Sequence, residues 1–419
     1  MRTMRLALGA AAALVMLSPQ PGMAQSTDRL GLDQLVGMAI QTYPGIAARR
    51  AELGAARSEV DAARWQYYPT PSVSVARDRD NGGTATVLAL QQPLWAGGRI
   101  DAGFDAADAR ARSAGVAITE AQYDLALRVT DAWQASMQAH GRVAALTKSV
   151  AQLEDYAESV SRRIAGGVSA EVDLRLVQSR LAQARGNLAN ARASERSALA
   201  QLSQMVGRPL RADNLAVAGR VAGELPALEA LVDQALLSSP LLHRLDADIE
   251  AARHDAAQKG AANWPTLNLR AERLRTDPTY TGNYVTDNRV TLVLDYVPGA
   301  GLSAAATADA ARTRVDGLMA SRDAARRDLI GKVSTDYEAH LSSRDLRRNL
   351  RSTLEASTEI LASYTRLFIA GKRSWLDVLN AARELTEVEM ALADSEAQFL
   401  ASRYRLHLHR GQLPQEDAS

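Results

Sequence analysis

The chain has 419 residues, and its 49 lysines and arginines against 48 aspartates and glutamates leave a formal net charge of +1, too even for the basic footprint of a nucleic-acid-binding protein. No cysteine is present, which excludes disulfides, thiolate chemistry and a lipid anchor carried on cysteine. An aromatic content of 5%, with Ala, Leu, Arg and Glu abundant, points to extended helices with thin apolar seams rather than to several globular domains.

In chain order, Arg2 and Arg5 precede an apolar run from Leu6 to Leu17 and a small-residue site at Gly22-Met23-Ala24, the pattern of a signal peptide over residues 1–24. The run is shorter than the roughly 18 apolar residues of a spanning helix, and no later segment reaches that length, so any membrane role falls to strands.

The rest of the chain is a tandem repeat. Pro44 and Pro69 reappear as Pro240 and Pro265 at one offset, and Pro93 and Pro209 as Pro298 and Pro414 at a slightly larger one. The first copy takes residues 25–209 and the second 241–414, with a Gly- and Pro-containing connector at 210–240 and a tail at 415–419. Each copy opens on a helix.

In the first copy, Pro71 to Ala76 and Thr84 to Gln92 alternate polar and apolar residues around Asn81-Gly82-Gly83, so a β-hairpin is expected over 70–93. Residues 94–208 contain no proline, and a long helical hairpin is expected over 99–206, its tip near 166–168 at Gly166 and Gly167. Its first arm, 99–165, spans about 100 Å at about 1.5 Å per residue. On the second arm Leu174, Leu181, Leu188 and Leu202 keep a heptad spacing, interleaved with Val177, Ala184, Ala191, Ala198 and Met205, a coiled-coil seam with small residues on one side.

The second copy repeats this plan. A hairpin is expected over 266–297, with Thr266 to Ala271 facing Arg289 to Asp295 across a polar loop from Thr276 to Asp287. A second proline-free helical hairpin is expected over 302–411, its tip near 371–373 at Gly371 and Lys372. Its seam runs through Val378, Leu385, Leu392, Phe399 and Leu406, with Phe399 where the first copy has Glu195.

Each expected strand approaches the roughly 9–11 residues that cross a bilayer when tilted. Four strands do not close a barrel, and lipid tolerates no open sheet edge, so chains must share one. Two chains would fill the interior with side chains, whereas three would leave a lumen, making a trimer the smallest assembly with a pore. The fold class is thus a mixed one, with a membrane β-barrel and long antiparallel coiled-coil helices in tandem repeat. A soluble sheet is the other reading of the strands, and a periplasmic structural or adaptor coiled coil is the rival for the helices.

No enzyme is indicated. The six histidines are scattered, no His-Glu-x-x-His pattern occurs, and Gly97-Gly98 and Gly166-Gly167 lack the Lys-Ser or Lys-Thr of a phosphate loop. No cofactor or metal is expected. His407 and His409 stand two apart on a presumed helix, where side chains diverge, so a surface role is expected for them. Trp65, Tyr67, Tyr68, Trp264 and Tyr296 fall at strand ends, either as an interfacial aromatic belt or as core.

The segment Leu90-Gln91-Gln92-Pro93-Leu94-Trp95-Ala96-Gly97-Gly98-Arg99 resembles the strand-to-helix passage of the TolC-type outer-membrane factors. The turns Gly167 to Asp173 and Gly371 to Asn380 are similar to that family's helix tips. The resemblance implies a homotrimer with a twelve-stranded barrel in the bacterial outer membrane, in contact with its lipid, and a twelve-helix tunnel in the periplasm. It places a small equatorial domain near the connector. It also implies an entrance at the helix tips that opens when a periplasmic adaptor (membrane fusion protein) and an inner-membrane transporter dock. By position Asp173, Arg373 and Asp377 belong to that entrance, and Gly166, Gly167, Gly371 and Lys372 to the turns that meet the adaptor. Phe368 stands where the family often has tyrosine, and Asn380 where it has a second acidic residue. The tip sequence Gly371 to Asn380, with Arg383-Glu384, is most similar to outer-membrane components of type I secretion, including those that export large adhesins, which favours an ABC-type transporter. Multidrug or metal efflux is the alternative.

Overall fold

A computed structural model of the chain describes residues 29–77, 84–216, 225–277 and 285–413. The expected signal segment 1–24, the Asn81-Gly82-Gly83 turn, the tail 415–419 and residues 217–224 of the connector lie outside them.

Two short helices open the described chain, α1 (Leu32–Thr42) and α2 (Pro44–Trp65), followed by β1 (Thr70–Arg77) and β2 (Thr84–Trp95). The long helix α3 (Arg99–Ala165) runs out and α4 (Glu171–Val206) returns. The second copy comprises α5 (Leu228–Ser238), α6 (Pro240–Gly260), β3 (Thr266–Asp277), β4 (Val285–Asp295), α7 (Ala304–Ile369) and α8 (Trp375–His409). Pro44 and Pro240 sit at the first position of their helices, where the missing N–H costs no hydrogen bond. Loss of a repeating donor would break longer helices, which explains why α3, α4, α7 and α8 avoid proline.

The two hairpins join into one antiparallel sheet of order β1-β2-β3-β4, because β2 pairs with β3 over Thr84 to Trp95. A register shift between Pro93 and Trp95 accommodates Pro93, which has no N–H for the ladder. The loop expected from Thr276 to Asp287 is shorter than that. Thr276 pairs with Val285 and Arg275 with Thr286, so both strands continue into it, sustained by the ladder with β2 on the other side of β3.

The helices keep the order of the strands. Helix α2 packs on α3, α3 on α6, and α6 on α7, each beside the strand it continues. Toward the far end α4 and α8 replace α2 and α6, packing on α3 and on α3 and α7 respectively. Among the described residues four apolar clusters hold the layer: Leu35, Val129, Trp133, Leu202 and Leu408 at mid-length, Leu153, Val177, Leu181, Trp375 and Val378 at the tips, Leu231, Ala235, Val333 and Leu406 where α5 meets α7 and α8, and Ile249, Ala311 and Val315 near the sheet. At mid-length the N-terminal segment meets the connector, with the Leu30 N–H donating to Asn214 at 2.8 Å and the Ala216 N–H to Leu30 at 2.9 Å. Glu195, the polar residue on the first seam, meets His140 Nδ1 of α3 at 2.8 Å. At the corresponding point of the second seam Phe399 stacks on His340 with ring centroids 4.6 Å apart.

Candidate functional site

Both helical hairpins turn with the same backbone. The N–H of Val168 donates to Arg163 O at 2.9 Å and that of Lys372 to Leu367 O at 2.9 Å, while Gly167 (φ 75°) and Gly371 (φ 71°) adopt the left-handed conformation. This is the glycine-terminated helix end that satisfies the last carbonyls and reverses the chain. Gly166, Gly167, Gly371 and Lys372 are all exposed, and Val168, Val172, Ile369 and Leu376 leave large apolar surfaces in water around them.

The side chains of the two tips differ. In the second, Ser374 and Asp377 form a capping box: the Asp377 N–H donates to Ser374 Oγ at 3.2 Å, and the Ser374 hydroxyl and N–H donate to Asp377 Oδ2 at 2.8 and 3.3 Å. Arg373 stands 3.8 Å from Asp377 and lies over the Tyr364 ring, 4.5 Å from its centroid. The Ser374 hydrogen bonds, with Arg373 adding to them, hold the Asp377 carboxyl below its ordinary range. Its contribution to the helix start is therefore complete above the usual carboxylate pKa and is lost as pH falls through the depressed value. Amide exchange at Leu376 to Leu379, followed through an acid series, is expected to stay slow below the usual carboxylate range before it accelerates. Ser374→Ala is expected to cost about 1 kcal/mol of local stability, read by the same exchange.

The first tip starts α4 at Ala170 without a side-chain cap and carries Glu171 and Asp173 in its first turn. The two tips are tied together by aromatic contacts. Arg163, before the first turn, lies over Phe368 at 4.9 Å, Phe368 meets Trp375 at 4.5 Å, and Trp375 meets Tyr156 edge-on at 5.0 Å. Arg373 and Asp377 are thus brought together, and Phe368 is packed between the hairpins. Among the described residues neither Asp173 nor Asn380 joins an ion pair. Arg163, Tyr156, Tyr364 and Trp375 were not singled out from sequence. Tyr364 lies one turn before Phe368 on α7, and that spacing was the available signal.

The sheet is two-faced. Residues directly opposite in the ladder share a face, so Val73, Leu88, Leu90, Leu269, Val290 and Leu292 form one continuous apolar surface, exposed in the single chain. The other face carries Ser72, Ser74, Asn268, Arg270, Glu272 and Arg289. Glu272 is half-buried there between Arg270 Nε at 2.6 Å and Arg289 Nε at 2.7 Å. Trp65, Tyr67, Tyr68, Trp264 and Tyr296 are exposed at the helix end of the sheet, which removes the core alternative for them in the single chain.

The expected surface role of His409 is corrected. It is buried where α3, α7 and α8 meet, with Nδ1 2.5 Å from Tyr123 Oη and Nε2 2.8 Å from Asp336. Burial, and then Asp336, raise the Tyr123 phenol above its usual range, so it stays protonated against Nδ1. Arg405 Nε reaches the other oxygen of Asp336 at 2.9 Å, and Arg405 also meets Asp131 at 2.9 Å and Gln134 at 3.1 Å. His407 is half-buried beside Tyr404. Two residues apart on one helix do diverge, but the packing of α3 and α7 around the end of α8 encloses His409 on its own side.

The chain matches the model of the outer membrane efflux protein family over residues 35–208 and 231–412. It is 27% identical over 355 residues to the alkaline protease secretion protein AprF of Pseudomonas aeruginosa, covering 81% of this chain and 72% of that one. It is 25% identical over 408 residues to the cobalt-zinc-cadmium resistance protein CzcC of Cupriavidus metallidurans, covering 93% and 95%. The fold is similar to the open state of the MtrE outer membrane channel of Neisseria gonorrhoeae, with a TM-score of 0.73 and 18% identity over 94% of each chain. The chain therefore belongs to the outer membrane efflux protein family, whose members are outer-membrane channels and not enzymes.

Proposed function

We propose that the protein is a homotrimeric exit duct that receives cargo from an inner-membrane transporter and its periplasmic adaptor, with polypeptide secretion through an ABC-type system as its use. The observation that supports the trimer is the sheet: among the described residues β1 and β4 each keep one edge unpaired, one face is apolar, and four strands do not close. Three copies joined β4 to β1 give twelve strands and a lumen lined by the Arg270, Glu272 and Arg289 face.

The helix tips are then the periplasmic mouth. The exposed apolar residues Val168, Val172, Ile369 and Leu376 around Gly166, Gly167, Gly371 and Lys372 suit an adaptor contact, and Asp173, Asp377 and Arg373, repeated about a threefold axis, set the charge of the opening. Phe368 offers no hydroxyl to a resting lock, and Asn380 lowers the negative charge of the ring. Secretion is favoured by the likeness of the tip sequence to type I components and by the similarity to AprF. The similarity to CzcC supports metal efflux as the second reading.

Purified protein is expected to form a stable trimer and to conduct in a planar bilayer, with Arg373→Ala and Asp377→Ala raising conductance. A trimer that stays silent in all three forms would overturn the channel reading. Deletion of the gene is expected to abolish export of a large secreted protein and leave metal and drug tolerance intact; the opposite pattern assigns efflux.

A further inference from the structure

The mid-length cluster of the first copy has a smaller counterpart in the second. By the offset that relates Gly167 to Gly371, Leu125, Val129 and Trp133 of α3 correspond to Leu329, Val333 and Tyr337 of α7, and Leu202 of α4 to Leu406 of α8. By the offset that relates Pro44 to Pro240, Leu32, Leu35, Val36 and Ala39 of α1 correspond to Leu228, Leu231, Val232 and Ala235 of α5. One component is missing from the second cluster. The first also receives Ala401, Tyr404 and Leu408 from α8 of the other hairpin, whereas the second receives nothing from α4 among the described residues. Burial follows the difference. Leu32, Val36, Leu125 and Trp133 are at most 3% exposed, while their counterparts Leu228, Val232, Leu329 and Tyr337 are only half-buried.

The missing wall exists elsewhere on the chain. Ala401, Tyr404 and Leu408 correspond to Ser197, Ala200 and Gln204 of α4, all exposed. Ala200 and Gln204 line an open groove of about 690 Å³ together with Leu199 and Pro209. The polar positions match as well. In the first cluster the Tyr404 hydroxyl donates to Asp33 of α1 at 2.9 Å. The counterparts of these two residues are Ala200 and Glu229, and Arg196 stands one turn before Ala200 on the same exposed face. An α4 laid on α5 in the manner of α8 on α1 therefore sets a guanidinium near the Glu229 carboxylate. Among the described residues of one chain the two surfaces stay apart, because α4 packs on α1 and α3 while α5 packs on α7 and α8. Between copies joined β4 to β1 they come together, since α7 follows β4 and α4 takes the place of α2, which precedes β1.

From this correspondence we infer that the half-buried patch of α5 and α7 receives the α4 groove of a second copy of this chain, whose Ala200 and Gln204 complete the cluster and whose Arg196 pairs with Glu229. The inference rests on the homotrimer proposed above for the pairing of edges.

The chain has no cysteine, so the test is a double variant, Ala200→Cys with Glu229→Cys, treated as the detergent-solubilised full chain with a short bismaleimide and resolved by denaturing electrophoresis. Linked species of two and three chains are expected, and neither single variant should link. Ala200→Glu sets a second carboxylate against Glu229. It is expected to raise the protein concentration for half-assembly about a hundredfold, the order for like charges forced together at an interface, read by native mass spectrometry. Position 200 is exposed in the single chain, so helix content by circular dichroism is expected to stay that of wild type. Adding Glu229→Lys to the same chain should restore assembly. If Ala200→Glu loses helix content, the linking result alone decides. A trimeric wild type whose cysteine pair does not link, or whose folded Ala200→Glu form assembles undiminished, overturns the surface and leaves the trimer standing. A linked ladder that ends at a number other than three supports the surface and overturns the trimer. A wild type that stays a single chain overturns both.

Discussion

Trp375→Ala is expected to destabilise the helix tips by about 4 kcal/mol, within the range for removing a buried tryptophan. The indole is 4% exposed and is the shared wall of the contacts with Phe368 of α7 and Tyr156 of α3. Removing it leaves a cavity in the tip cluster it shares with Leu153, Val177, Leu181 and Val378, and the solvent-exposed ion pairs around that cluster contribute little. Amide exchange over residues 156–181 and 361–382 is the measurement, with acceleration in both hairpins as the expected result. Trp375→Phe supplies the control. The indole Nε1 has no hydrogen-bond partner in its buried position, so phenylalanine loses volume and relieves an unsatisfied donor at the same time. Its cost is expected at about 1 kcal/mol. A phenylalanine variant as unstable as the alanine one would show that the aromatic contacts do not hold the tips.

Asp336→Ala is expected to cost about 3 kcal/mol, the lower end for breaking a buried pair, because Arg405 keeps Asp131 and Gln134. Asp336 is the one carboxylate that serves both Arg405 and His409 at the junction of α7 with the last turns of α8. His409 would retain Tyr123 and lose its second partner. Asp336→Asn keeps the shape and one acceptor, and is expected to fall between wild type and alanine. Chemical denaturation of the solubilised protein gives the ranking. Equal stability of all three forms would show the network to be incidental.

Much of the architecture was legible because it is written in periods and in prolines. Alternation at Ser72-Val73-Ser74-Val75 and at Asn268-Leu269 marks strands with one apolar face, and a proline-free interval as long as that around α3 is consistent with little except a long helix. Pairing between copies was not legible. That β2 joins β3 depends on contacts between residues almost two hundred positions apart, and neither strand carries a local mark of its second neighbour. The shorter β3–β4 loop escaped for the same reason, since β2 extends the strand past the point where alternation fades. At the tips, glycine punctuation located both turns, whereas Arg163 over Phe368 and Arg373 over Tyr364 arise from facing helices and are invisible to spacing on one helix. His409 was misread because its environment comes from α3 and α7, not from its own turn.

The bare edges of β1 and β4 bear on how the molecule is made as well as on what it is. A lone protomer offers lipid two rows of unsatisfied backbone groups and offers water a broad greasy face, so it is at home in neither. On the trimeric reading proposed above, association precedes or accompanies entry into the bilayer. On the same reading the supply of each protomer is matched in time to that of its sisters, because a surplus copy keeps its edges open.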